Sequence, residues 1–130
     1  RDPVDNAISL LEARKAYFGN VSEWYSFKPR GYEKVLHLSP EHQTLWQVIT
    51  TNDAIREQCK ELSRGNFLDV NYRDFCNAPK DLLQTLSGKA GFEIDPGASD
   101  IPFKHKTSPR RNEIDWDLIQ REIQPFLVSQ

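Results

Sequence analysis

The chain has 130 residues and a mass of 15.1 kDa, with 38% hydrophobic and 28% charged residues, two cysteines, no methionine and a formal net charge of −2. That is one globular unit at most. A mean hydropathy of −0.67 and the lack of any apolar run of about 18 residues exclude a membrane span, and a pI near 5.9 removes any global electrostatic case for nucleic acid.

Asp2 followed by Pro3 is a helix start, because the carboxylate caps the orphan amides and proline at the first position gives up an N–H that has no partner anyway. Val4, Ala7, Ile8 and Leu11 then form one apolar face, with Glu12, Arg14 and Lys15 assigned to the wet side as far as Gly19-Asn20. Residues 19–38 are aromatic-rich and aperiodic, with Trp24, Tyr25, Phe27 and Tyr32 punctuated by Pro29 and Gly31, and read as a long loop or lid. Its aromatic cluster either anchors the loop to the core or lines an acceptor pocket.

Ser39-Pro40 repeats the start signal, and Leu45, Val48, Ile55, Cys59 and Leu62 carry the longest predicted helix to Gly65. From Asn66 to Tyr72 the period changes, and Phe67, Leu68, Val70 and Tyr72 predict a short inner strand. Asn77-Ala78-Pro79 then opens a short helix bearing Leu82, Leu83 and Leu86, which Gly88 is expected to stop. A strand followed at once by a helix argues for an α/β fold. Residues 92–112 read as a basic loop, in which Lys104, His105, Lys106, Arg110 and Arg111 occur with no acid between them. A last helix is predicted from Asp115 to Phe126, with Trp116, Ile119, Ile123 and Phe126 on one side.

Cys59 and Cys76 are too few for a disulfide framework and form no C-x-x-C pair, so they read as free thiols in a reducing compartment. His37, His42 and His105 lie too far apart to suggest a metal site. Arg1 and Ser9 are the more interesting pair. A guanidinium fork and a hydroxyl near a helix start suit a phosphate or sulfate, against the plainer alternative of a solvated arginine and a serine bonded back to its own helix.

Arg1-Asp2-Pro3-Val4-Asp5-Asn6-Ala7-Ile8-Ser9 resembles the R-D-P-x-D-x-A-x-S segment of the sulfotransferase family. A second stretch, Phe67 to Phe75 followed by Pro79 and Leu82-Leu83, is similar to that family's strand ending in Tyr-Glu, with its proline-started helix and paired leucines. The resemblance implies that Arg1 and Ser9 bind the 3′-phosphate of the cofactor 3′-phosphoadenosine 5′-phosphosulfate, that Tyr72 lies near its adenine, and that Arg110 or Arg111 closes over the phosphate. Arg73 stands where the family has Glu, and Arg110-Arg111-Asn112 only approximates the family's Arg-Lys-Gly loop.

The same resemblance implies a partial P-loop-type α/β fold, mostly helical, with one inner strand. Residues 1–130 are expected to be the C-terminal part of a single sulfotransferase-like domain. A Met-free chain opening on Arg1 fits such a piece, and no G-x-x-x-x-G-K-[ST] loop for the 5′-phosphosulfate occurs in it. The implied activity is transfer of a sulfuryl group to an acceptor hydroxyl or amine on a small molecule, carbohydrate or lipid, with this chain alone inactive. Nucleic acid and metal are not implied, and the expected compartment is the cytoplasm unless a Golgi-type anchor lies elsewhere. A non-catalytic interaction module, or a fragment of a nucleotide kinase, is the alternative.

Overall fold

The computed structural model describes residues 1–62, 68–93 and 109–127, and they fall into two compact units. Asp2–Lys60 with Thr107–Gln130 form the larger, and Arg1 with Glu61–Lys106 the smaller.

In the larger unit α1 runs Pro3–Phe18. Asp2 Oδ1 accepts from the amides of Val4 at 2.9 Å and Asp5 at 3.2 Å, and Gly19 ends the helix at φ 76°, a left-handed conformation that a side chain resists. The helix packs along α2 (Pro40–Lys60), and α5 (Trp116–Glu122) and α6 (Gln124–Leu127) lie against α2 as well. Ala7, Ile8 and Leu11 from α1 meet Leu45, Trp46 and Val48 from α2, and Trp116, Ile119 and Ile123 complete the core. Trp46 Nε1 donates to the Phe126 carbonyl at 3.0 Å, which fixes the end of the chain's last described helix on α2.

The 19–38 segment is a loop as expected, with one 3-10 turn at Tyr32–Val35 whose Val35 is fully buried. Its fold is set by α2: Gln43 Nε2 donates to the carbonyls of Leu36 and Leu38, and Gln47 Nε2 to those of Tyr25 and Phe27. The apolar spacing of α2 outlasts the core. Leu45 and Val48 are buried, whereas Ile55 and Leu62 are half exposed. Gly65, the expected end, lies outside the described residues, and α2 itself ends at Lys60.

The smaller unit contains α3 (Tyr72–Asn77) and α4 (Pro79–Ala90). Here the expected inner strand is overturned. Phe67 lies outside the described residues, Leu68–Asn71 form no strand, and Tyr72 is the first residue of a helix. Asn71 decides this locally: its side chain accepts from the Arg73 amide at 2.9 Å and its carbonyl from the Phe75 amide at 2.9 Å, while Asp74 places a negative charge in the first turn. A strand also needs a neighbour to take its backbone donors and acceptors, and none occurs among the described residues. The described residues are therefore mostly helical, without sheet, and the α/β P-loop-type architecture is not the one observed.

Two smaller expectations change as well. Gly88 does not stop α4, which continues to Ala90 and is capped by Gly91 at φ 70°. The final helix is two pieces, α5 capped by Asp115 and then α6, with Ile123 between them.

Candidate functional site

The two residues drawn from separate motifs for the nucleoside end of the donor, Arg1 and Tyr72, both belong to the smaller unit and are in contact. The Arg1 guanidinium carbon lies 5.5 Å from the centroid of the Tyr72 ring. A cation over an aromatic face at this range is attracted by the ring quadrupole, at about 0.5–1 kcal/mol in an exposed setting. Both side chains are exposed. Tyr72 is placed by the Asn71 cap, which makes it the first residue of α3 and sets Cys76 one turn on. The hydrogen bond with Cys76 pushes the Tyr72 phenol up from its ordinary value, a trend the charge of Arg1 opposes. Cys76 is buried, and Cys59 and Cys76 are both free thiols.

Ser9 lies in the larger unit, in the second turn of α1. Its Oγ donates to the Asp5 carbonyl at 2.9 Å, the bond within its own helix that the plainer alternative anticipated. A phosphate at Ser9 would require that hydroxyl proton to swing away.

Arg111 has an internal role that its place in a basic loop does not announce. From the 3-10 turn Pro109–Asn112 its Nη1 donates to Asp2 Oδ1 and to Asp5 Oδ1, each at 3.0 Å, and its Nη2 to Asp2 Oδ2 at 3.3 Å. Asp5 is 1% exposed, so the guanidinium compensates a carboxylate that water scarcely reaches. Partial burial pushes the Asp2 carboxyl up, but the hydrogen bonds from Arg111 and from the amides of Asp5 and Val4 outweigh it and hold the group below its ordinary value. Those same carboxylates push the Arg111 guanidinium up. Arg110, beside it, is exposed. Lys104, His105 and Lys106, the rest of the basic run, lie outside the described residues.

Sequence reasoning missed Arg14. Assigned to the wet face, it is fully buried, with Nη1 donating to Gln43 Oε1 at 2.8 Å and to the Val21 carbonyl at 3.2 Å, and its guanidinium 5.1 Å from the Trp24 ring centroid. Its spacing from Ala7 and Leu11 continues the apolar stripe, which was the available signal.

Among the described residues no group of three His, Cys, Asp or Glu side chains is arranged to hold a metal, and no helix is long and apolar enough to cross a membrane. Neither a protein-family model, a curated protein nor a solved structure matches this chain.

Proposed function

We propose that this chain supplies the 3′-phosphate and adenine side of the donor site of a sulfotransferase that uses 3′-phosphoadenosine 5′-phosphosulfate. The observation that carries this reading is the Arg1 guanidinium carbon lying 5.5 Å from the centroid of the Tyr72 ring. An arginine over an aromatic ring keeps its N–H donors, which can give a phosphate two parallel hydrogen bonds, and the ring offers a surface for a purine. A nucleotide with a phosphate beside its base matches both halves of that pair. The two-motif resemblance adds the sulfuryl group to the nucleotide.

In the reaction so proposed, the bond from sulfur to the donor's phosphate oxygen breaks as a bond from sulfur to the acceptor's oxygen or nitrogen forms. The acceptor loses a proton, and 3′-phosphoadenosine 5′-phosphate is released. Such an in-line transfer is accelerated mainly by positioning and by charge stabilisation. The contribution of Arg1 and Tyr72 is to hold the nucleoside end. Small molecules, carbohydrates and lipids bearing a hydroxyl or amine are the acceptor classes.

Calorimetric titration with 3′-phosphoadenosine 5′-phosphate tests this. Saturable binding, weakened at least tenfold in Arg1→Ala and Tyr72→Ala and for 5′-adenosine monophosphate in place of the bisphosphate, supports the reading. Absence of binding to the protein, or equal affinity for the two nucleotides, overturns it.

A further inference from the structure

The larger unit sets three side chains in series at the start of α2, none of them assigned to the donor. Ser39 Oγ lies 2.7 Å from His42 Nδ1, and His42 Nε2 lies 2.7 Å from Glu122 Oε2 on α5. A hydroxyl, an imidazole and a carboxylate linked in this order are the parts of a base-activated nucleophile, and both spacings fall within the roughly 2.6–3.2 Å that such a relay needs. The His42 side chain is 18% exposed and Ser39 is open to solvent, so the base is held by the protein while the nucleophile is accessible.

Glu122 sets the tautomer. An ionised carboxylate only accepts, so Nε2 carries the proton and the neutral ring turns the Nδ1 lone pair to the Ser39 hydroxyl. Glu41 Oε2, also 2.7 Å from Ser39 Oγ, competes for the hydroxyl proton. An imidazole is a stronger base than a carboxylate, so abstraction of that proton falls to His42. Ser39 also departs from what a serine before a helix ordinarily does. Such a hydroxyl accepts from an amide two or three positions on, whereas Ser39 Oγ accepts from the amide of neither Glu41 nor His42. Pro40 has no N–H, and the first backbone bond of the turn runs from the Gln43 amide to the Ser39 carbonyl at 3.0 Å. The amides of Glu41 and His42 therefore have no acceptor among the described residues, at the positive end of a 21-residue helix. Two free amides directly after a nucleophile are suited to a developing oxyanion.

We propose that Ser39, His42 and Glu122 hydrolyse small carboxylic esters through an acyl-serine. As Ser39 Oγ bonds to the ester carbonyl carbon its proton passes to His42 Nδ1, and His42 gives that proton to the departing alcohol as the carbon–oxygen bond breaks. Water then bonds to the acyl carbon and yields a proton to Nδ1. The bond to Ser39 breaks, the proton returns to Oγ, and a carboxylic acid is released. Glu122 is a positioning residue, which holds Nε2–H and balances the imidazolium formed in each half of the reaction. An exposed nucleophile makes few contacts with the rest of a substrate, so the class is the ester, whose carbonyl is attacked more readily than that of an amide. The proposal is independent of the sulfuryl-donor reading.

The test pairs hydrolysis of p-nitrophenyl acetate with irreversible labelling by diisopropyl fluorophosphate, the labelled residue being located by peptide mass spectrometry. Saturable hydrolysis and a label on Ser39 that abolishes it are expected. Ser39→Ala and His42→Gln should each lower kcat about a hundredfold or more. Glu122→Gln keeps an acceptor for Nε2–H without the charge, and should lower kcat at least tenfold with KM unchanged. His37→Ala, at an exposed imidazole outside the cluster, should keep the full rate, which separates the relay from catalysis by any surface imidazole. The label on the unsubstituted chain decides the matter even where a variant fails to fold. No label on Ser39, undiminished hydrolysis in Ser39→Ala or Glu122→Gln, or its loss in His37→Ala would each overturn the proposal.

Discussion

Arg14 and Gln43 meet inside the larger unit through a 2.8 Å hydrogen bond from the Arg14 guanidinium to the Gln43 side-chain oxygen. The pair ties three parts of the chain together, because Gln43 also donates to the carbonyls of Leu36 and Leu38 and Arg14 to that of Val21. Desolvation pushes the Arg14 guanidinium below its ordinary value, opposed by the charge of Glu41, and its Nε and Nη2 find no hydrogen-bond partner among the described residues.

Two substitutions at this pair should therefore differ sharply. Gln43→Leu removes the principal acceptor and leaves a buried cation poorly compensated, with an expected loss of about 3 kcal/mol. Arg14→Met fills similar space and removes the two unpartnered nitrogen atoms along with the charge, so the expected change is within about 1 kcal/mol. Urea unfolding followed by tryptophan emission measures both, and an equal loss in the two variants would contradict the account.

What the sequence revealed here, and what it concealed, follows from how local each determinant is. Asp2-Pro3 and Gly19 delimit α1 because a cap is settled within a few residues. The burial of Arg14 depends on Gln43, Val21 and Trp24, none of them on α1, so residue type pointed outward while spacing pointed inward. The β-prone run at Leu68–Val70 was persuasive by composition, but strand formation depends on a partner that no single segment encodes. Of the donor candidates, Arg1 and Tyr72 came together, whereas the ties of Ser9 to Asp5 and of Arg111 to Asp2 and Asp5 were invisible from motif spacing.

Asn71 provides a direct check on α3. As a helix cap accepting from Arg73, its replacement by Ala should cost about 1 kcal/mol and reduce helical carbon chemical shifts across residues 72–77. Asn71→Val would separate the two conformations, since a β-branched residue favours a strand and cannot cap a helix. Loss of the helical shifts in that variant is expected, and their retention at full strength would show that the cap is not what starts α3.

The Arg111 clasp predicts acid sensitivity of a definite sign. Asp2 has its carboxyl held below the ordinary value of 3.8, so the native state binds fewer protons there than the unfolded chain does. Its contribution is complete above about pH 4 and is lost as pH falls through the lower native value. Arg111→Ala should remove that portion of the pH dependence. It should also cost about 2 kcal/mol at neutral pH by leaving the buried Asp5 carboxylate without its cation. Denaturant midpoints measured between pH 2 and pH 7 for both proteins test this, and parallel curves would exclude the clasp.

His42 joins α2 to α5, with Nε2 2.7 Å from Glu122 Oε2 and Nδ1 2.7 Å from Ser39 Oγ. The Ser39 hydroxyl has a single proton, and Glu41 Oε2 lies within the same 2.7 Å, so Ser39 can donate to Glu41 or to His42 but not to both. Because Glu122 is half exposed, its bond to His42 should be worth no more than about 1 kcal/mol, whereas His42 is mostly buried and loses two partners on truncation. His42→Ala should thus destabilise the unit more than Glu122→Ala. A double-mutant cycle should return a coupling of about 0.5 kcal/mol between them. Exact additivity of the two substitutions would mean that the link between α2 and α5 rests on the apolar contacts of Trp116 and Ile119 alone.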